Sequence, residues 1–120
     1  MLHRESQLQQ ACFNYFRYAH PRLASVFFAV PNGGQRNKRE GSILKAEGVK
    51  AGVADALLLT ASGEYHGLCI EFKTDIGRQS PAQKEWQKDV EKQGYKYEII
   101  RNIDTFIDVI ENYLNLQALK

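Results

Sequence analysis

At 120 residues the chain fits one compact domain, 1–120, and a content of 43% hydrophobic and 25% charged residues excludes a disordered, collagen-like or disulfide-stapled chain. No apolar run approaches the ~20 residues of a membrane helix, and the N-terminal MLHRESQLQQ has no apolar signal core, which points to the cytoplasm. The net charge of +2 is unevenly spread, with eight Lys/Arg against three Glu in residues 1–50 and eight against eleven Asp/Glu in residues 51–120. Such a bias directs the search for a phosphate-binding surface to the first half. Cys12 and Cys69 have neither metal-ligand nor disulfide-framework spacing, and both read as buried thiols.

From Arg4 to Ala19, residues Leu8, Ala11, Cys12, Tyr15, Phe16 and Ala19 recur at helical spacing, and the spacing predicts an amphipathic helix that His20-Pro21 ends. Ala24 to Val30 reads as a strand stopped by the turn Pro31-Asn32-Gly33-Gly34. Residues 37–47 read as a short basic helix ended by glycine. Asp55 to Thr60 and Leu68 to Lys73 are short apolar runs about Ser62-Gly63, a strand pair. Ser80-Pro81-Ala82-Gln83 combines an N-cap serine, a proline at the first helical position and a capping-box glutamine, so a helix follows to Gly94. Tyr95 to Arg101 is a further strand, and Asn102 caps a last helix with the stripe Ile103, Phe106, Ile107, Ile110, Tyr113 and Leu114. The order αβαββαβα predicts an α/β fold, a mixed sheet flanked by helices.

Chemistry concentrates at Cys69-Ile70-Glu71-Phe72-Lys73. In a strand Leu68, Ile70 and Phe72 share one face, while Cys69, Glu71 and Lys73 share the other. A buried acid must be paired or bind a cation, so Glu71 and Lys73 form either a salt bridge or part of a reactive site. Asp55 lies eight residues before Gly63 and Glu71 eight after. A three-residue hairpin would set them opposite each other, about 5 Å apart, and a two-residue turn would shift the pairing by one. Two like charges at that distance call for a cation, and Mg²⁺ takes a few carboxylates plus waters. Lys73 beside it would orient an attacking water. Glu5 falls three positions before Leu8 on the apolar side of the first helix, where it is either a first-turn acid favoured by the helix dipole or a third acid of the site. Gln83 completes the capping box with Ser80, yet its spacing to Trp86 and Val90 also allows it to face the sheet.

These residues resemble the VRR-NUC family (virus-type replication-repair nucleases) of the PD-(D/E)xK superfamily. The resemblance runs from Glu5 to Tyr113 and rests on an ordered set: Glu5, the turn Pro31-Asn32-Gly33-Gly34-Gln35-Arg36, Gly52-Val53-Ala54-Asp55, Glu71-Phe72-Lys73 and Gln83. It implies a restriction-endonuclease-like core and metal-dependent hydrolysis of DNA phosphodiesters in replication, repair or recombination. It further implies Mg²⁺ or Mn²⁺ on Asp55, Glu71 and the Phe72 carbonyl, with Glu5 acting through a water, Lys73 positioning the nucleophile and Gln83 assisting. The family often has proline before the aspartate, where this chain has Ala54, which changes local backbone geometry and not the donor set. Stand-alone and junction-resolving relatives imply branched DNA, such as a Holliday junction, as substrate and a bacterial or phage-infected cell as setting. A catalytically inactive DNA-binding module of the same fold, or an RNA-processing nuclease, are the alternatives.

DNA contact is assigned to Asn32, Gly33, Gly34, Gln35, Arg36, Lys38, Arg39, Lys45 and Lys50, a basic stretch that opens on two glycines able to approach a phosphate closely. Symmetric incision of a junction needs two sites, and Val109, Leu116 and Leu119 form a second apolar line on the last helix, so a homodimer is expected. Charge reversal at Arg36, Lys38 and Arg39 should weaken binding to every DNA sequence alike and flatten its salt dependence, because phosphate contacts release counterions. Binding isotherms at several salt concentrations check this, and an unchanged slope would make the stretch a solvated face.

Overall fold

The computed structural model describes residues 2–31 and 38–116. Among these residues are four α-helices, α1 (Leu2–Ala19), α2 (Lys38–Ala46), α3 (Pro81–Lys92) and α4 (Ile103–Leu114), and four strands, β1 (Phe27–Ala29), β2 (Ala56–Leu58), β3 (Leu68–Phe72) and β4 (Lys96–Ile100). The expected order αβαββαβα is therefore present, with one addition. Pro21–Val26 forms a 3-10 turn that takes up the first half of the run expected to be a strand. Pro21 sits at its start, where its missing N–H forfeits no helical hydrogen bond and its φ is compatible with the turn.

The sheet order is β1-β2-β3-β4, antiparallel between β1 and β2 and between β2 and β3, and parallel between β3 and β4. α3 makes the crossover that a parallel pair requires. β3 is buried along its whole length, as expected for a central strand covered on both faces. On one face Leu68, Ile70 and Phe72 pack with Cys12, Phe13 and Phe16 of α1 and Phe106, Ile110 and Tyr113 of α4. On the other, Cys69 packs with Ala54 and Tyr97 under Trp86 and Val90 of α3. Each fully buried side chain of this kind contributes about 1.5–3 kcal/mol relative to exposure.

The helical stripe of α1 is rotated from the expected one. Ala11 is exposed, and Phe13 takes its place in the core, where its ring stacks on Phe27 at 4.2 Å between centroids. A phenyl ring removes more apolar surface from water than a methyl, and this sets the rotation. At its other end α1 is tied to α4: Tyr15 donates to Glu111 at 2.7 Å, and His20 Nε2 lies 2.7 Å from the same carboxylate oxygen. These two partners, Tyr15 first, hold the Glu111 carboxyl below the usual range. The second apolar line of α4 is not continuous, because Val109 packs on the chain's own core, Leu116 is 41% exposed and Leu119 lies outside the described residues.

The β2–β3 connection is longer than a tight hairpin, with Ser62 and Tyr65 bridging inside it, but the pairs Ala56↔Ile70, Leu57↔Cys69 and Leu58↔Leu68 keep the register centred on Gly63. The Ser62 hydroxyl donates to the Tyr113 carbonyl at 2.6 Å, which fastens this connection to the end of α4. Gly52 then fixes how the chain enters the site. Its φ is +85°, and an added Cβ would stand 2.6 Å from the backbone carbon and oxygen of Ala82 in the first turn of α3. Gly48 has φ +100° with nothing within 4 Å. Gly48→Ala should therefore cost about 1 kcal/mol, the left-handed penalty alone, whereas Gly52→Ala adds a backbone clash and should cost about 2 kcal/mol or more. Denaturant melts of the two variants check the order, and equal losses would contradict it.

Candidate active site

The site lies where β2 and β3 leave the sheet. One step beyond Ala56↔Ile70 along the two strands come Asp55 and Glu71. Asp55 joins three segments: its carbonyl accepts from Val30 N–H at 2.8 Å, and its Oδ2 accepts from Phe72 N–H at 2.7 Å. A side-chain carboxylate thus takes over where the backbone ladder stops, with the stronger bond of a charged acceptor. Phe72 therefore contributes its N–H to Asp55, while the next amide, Lys73 N–H, continues the parallel pairing with the Ile100 carbonyl at 3.0 Å.

Glu71 is 0% exposed. Its Oε1 accepts from Tyr97 Oη at 2.5 Å and from Gln79 Nε2 at 3.0 Å. Its Oε2 is buried without a hydrogen-bond partner, and Lys73 Nζ lies 3.4 Å away. Burial first, and then the bond to Glu71, push the Tyr97 phenol far above its ordinary range, so it remains a donor throughout the physiological pH range. Burial pushes the Cys69 thiol up to about 11, which leaves it protonated beside the site. The Gln79 amide also reaches Gln87 at 2.9 Å, which orients it between α3 and the strand end.

Glu5, half-buried on α1, and Asp55 line the same open groove of about 980 Å³, together with Phe72 and the α1 residues Gln9, Phe13 and Arg17. The structure thus brings Glu5 to the groove that Asp55 enters, and Lys73 to Glu71. Among the described residues no group of three or more His, Cys, Asp or Glu side chains is assembled to hold a metal ion.

Gln83 is placed differently from the role implied for it. Its Oε1 accepts from Ser80 N–H at 2.8 Å and its N–H donates to the Ser80 hydroxyl at 3.1 Å, the complete capping box. Two orphan donors at the start of α3 claim this residue, and the glutamine that reaches Glu71 is Gln79. Gln79 lies outside the helical spacing, in the segment before the cap, and no sequence pattern marks it. Tyr97 carried a signal: Cys69↔Tyr97 is a parallel pair on the face of Glu71, and a tyrosine on a buried face needs a partner for its hydroxyl.

Lys45 and Lys50 are exposed, as a phosphate-binding surface requires. Lys38 and Arg39 belong to α2 and only their backbone is described; Asn32, Gly33, Gly34, Gln35 and Arg36 lie outside the described residues.

The family model described as the VRR-NUC domain matches residues 4–102. A solved structure titled "VRR_NUC domain protein" is similar at 31% sequence identity and a TM-score of 0.84, over 97% of this chain and 92% of that one. A search of curated proteins returned no match. The match contains every candidate catalytic position, from Glu5 to Gln83.

Since Tyr97 donates one of the two hydrogen bonds to a fully buried carboxylate, Tyr97→Phe should destabilise the fold by about 1.5–3 kcal/mol. Chemical denaturation measures this, and an unchanged midpoint would show that the phenol does not hold Glu71.

Proposed function

The chain belongs to the VRR-NUC family of PD-(D/E)xK nucleases, and from that premise we propose that it is a metal-dependent endonuclease that hydrolyses phosphodiester bonds in branched DNA, Holliday junctions included. The observation that carries the reading is the orphaned Oε2 of Glu71, buried at 0% exposure beside the Lys73 ammonium. A carboxylate oxygen in that position is costly without a cation or donor. Lys73 satisfies part of the demand, at a distance that leaves the oxygen without a hydrogen bond.

The donor set fits a hard divalent ion. Asp55 and Glu71 offer carboxylate oxygens, the Phe72 carbonyl a further one, and Glu5 a contact through water, which suits Mg²⁺ or Mn²⁺ with several waters retained. Such an ion, when bound, supplies Lewis-acid polarisation of the phosphate and an attacking water of lowered pKa. The remaining work falls to the chain. Tyr97 and Gln79 fix the Glu71 carboxylate, and Phe72 N–H fixes that of Asp55. The Lys73 ammonium orients the nucleophile and offsets the charge that develops on the phosphate. With Gln83 Oε1 held by Ser80, Gln79 takes over the positioning role at the strand end.

The exposed Lys45 of α2 and Lys50 beyond it are available to phosphates, and the basic sequence of Asn32 to Arg36, Lys38 and Arg39 is assigned to the same role. One chain carries one constellation of acids and cuts one strand at a time, so paired incision of a junction takes two copies. Light scattering with and without a junction reads that stoichiometry.

Cleavage of labelled duplex, flap, four-way junction, single-stranded DNA and RNA in Mg²⁺ tests the reading. Wild type should cut branched DNA, and Asp55→Asn, Glu71→Gln or Lys73→Ala should each lower the rate about a thousandfold or more with the fold retained. The isosteric Glu71→Gln is preferred to alanine, which would strand the Tyr97 hydroxyl. Undiminished activity in Glu71→Gln would overturn the site, cleavage of RNA alone would move the substrate, and DNA binding without cleavage would make the chain a binding module.

A further inference from the structure

The segment between Lys73 and Gln79, which both reach Glu71, carries an exposed apolar side chain at its tip. Between Lys73 and Gln79 the chain makes a tight turn, closed by Gly77 N–H donating to the Thr74 carbonyl at 3.1 Å. At its apex Ile76 is 89% exposed, as much as any large hydrophobic among the described residues. A single exposed apolar residue is ordinary on a surface; what sets Ile76 apart is its place at the tip of a turn tied to Arg101 and, through Gln79, to Glu71.

This turn is fixed, not a loose loop. Arg101 at the end of β4 donates through Nη1 to the carbonyls of Thr74 at 2.6 Å and Gly77 at 2.8 Å. An added Cβ at Gly77 would meet the Lys73 side chain at 3.3 Å, so the turn rests directly on the aliphatic part of that lysine. At its far end Gln79 bonds Glu71 at 3.0 Å. Ile76 is thereby held in a constant relation to the reactive carboxylate. Ile76 lies three residues along the chain from Lys73 on one side and from Gln79 on the other, a span of at most about 11 Å, roughly three base steps of duplex.

The flanks identify the partner. A small pocket of about 130 Å³ at the base of the turn is lined by Arg4, Lys73 and Arg101 with one carboxylate, Asp75, and Arg78 beyond the turn is exposed. An apolar tip within a cationic rim suits DNA, with phosphates on the rim and the tip against the bases. Apolar side chains presented in this way enter between base pairs and unstack them, which costs least where stacking is already broken.

Resting on the nuclease reading above, we propose that Ile76 is a wedge that enters the base stack beside the scissile phosphate, and that it confers preference for DNA whose stacking is interrupted, at branches, nicks or mismatches. The residue does not touch the reacting atoms; it selects the substrate through the state of its stack.

The test uses the full chain in EDTA, where no cleavage occurs, with 2-aminopurine placed next to the branch of a junction and at the same sequence in an intact duplex. Wild type should raise the junction fluorescence severalfold on binding. Ile76→Ser should lose that rise and lower junction affinity about tenfold relative to duplex, and Ile76→Leu should restore both. An Ile76→Ser variant with unchanged fluorescence and preference overturns the wedge. So does one that weakens duplex and junction equally, or one that only converts a dimer to a monomer in light scattering, which would make Ile76 a contact between copies. The two readings fail separately: DNA that is unstacked and never cut in Mg²⁺ sinks the nuclease and keeps the wedge, whereas equal cleavage of junction and duplex by wild type and Ile76→Ser does the reverse.

Discussion

A carboxylate closed off from water at the end of the central strand sets the terms for the rest of the molecule. Glu71 sits in a strand buried on both faces, and solvation lost there has to be replaced by protein groups or by a cation. The chain supplies one oxygen with two neutral donors, Tyr97 and Gln79, and sets the other beside an ammonium. Both donors bind the same oxygen, which holds the group in place and leaves Oε2 without a hydrogen bond. Three elements answer to this requirement: β4 delivers Tyr97, the turn after β3 delivers Gln79, and α3 orients Gln79 through Gln87.

The surrounding architecture protects the geometry on each side. Asp55 is pinned by the Phe72 amide and by its own carbonyl pairing with Val30, so β1, β2 and β3 are joined at the point where the acids emerge. Gly52 lets the incoming chain lie against the first turn of α3, and Arg101 braces the turn that leaves the site. In the proposed reaction a displacement of about 1 Å at a reacting group would cost large factors in rate, which gives these anchors their weight. α1 forms one wall of the open groove, which Glu5 and Asp55 both line, and its own position depends on Phe13 and Phe27 stacking and on the Tyr15 and His20 contacts to Glu111.

Much of this was legible in the sequence because it rests on periodicity and on turn chemistry. The alternation in 68–73 separated the core face from the face of Glu71, and Ser80-Pro81 and Asn102 marked helix starts that the structure realises with side-chain caps. The distances of Asp55 and Glu71 from Gly63 left two registers open, and the structure has the one centred on Gly63, across a connection longer than a tight hairpin. What escaped was of another kind. Gln79 and Tyr97 reach Glu71 from segments distant in the fold, and pairings of that sort leave no local spacing. Gln83 satisfied two descriptions at once, and the demand of helix-end amides decided between them. The rotation of α1 reflects a competition between Ala11 and Phe13 that only packing resolves.

In the proposed reaction Glu71 and Asp55 bind a divalent cation, and Lys73 acts beside it in a separate role. Calorimetric titration of Mn²⁺ into the folded protein, free of DNA, tests that claim most directly. Saturable binding is expected in wild type, lost in Glu71→Gln and in Asp55→Asn and retained in Lys73→Ala; binding that survives in Glu71→Gln, or that disappears with Lys73 alone, would overturn the proposed metal site.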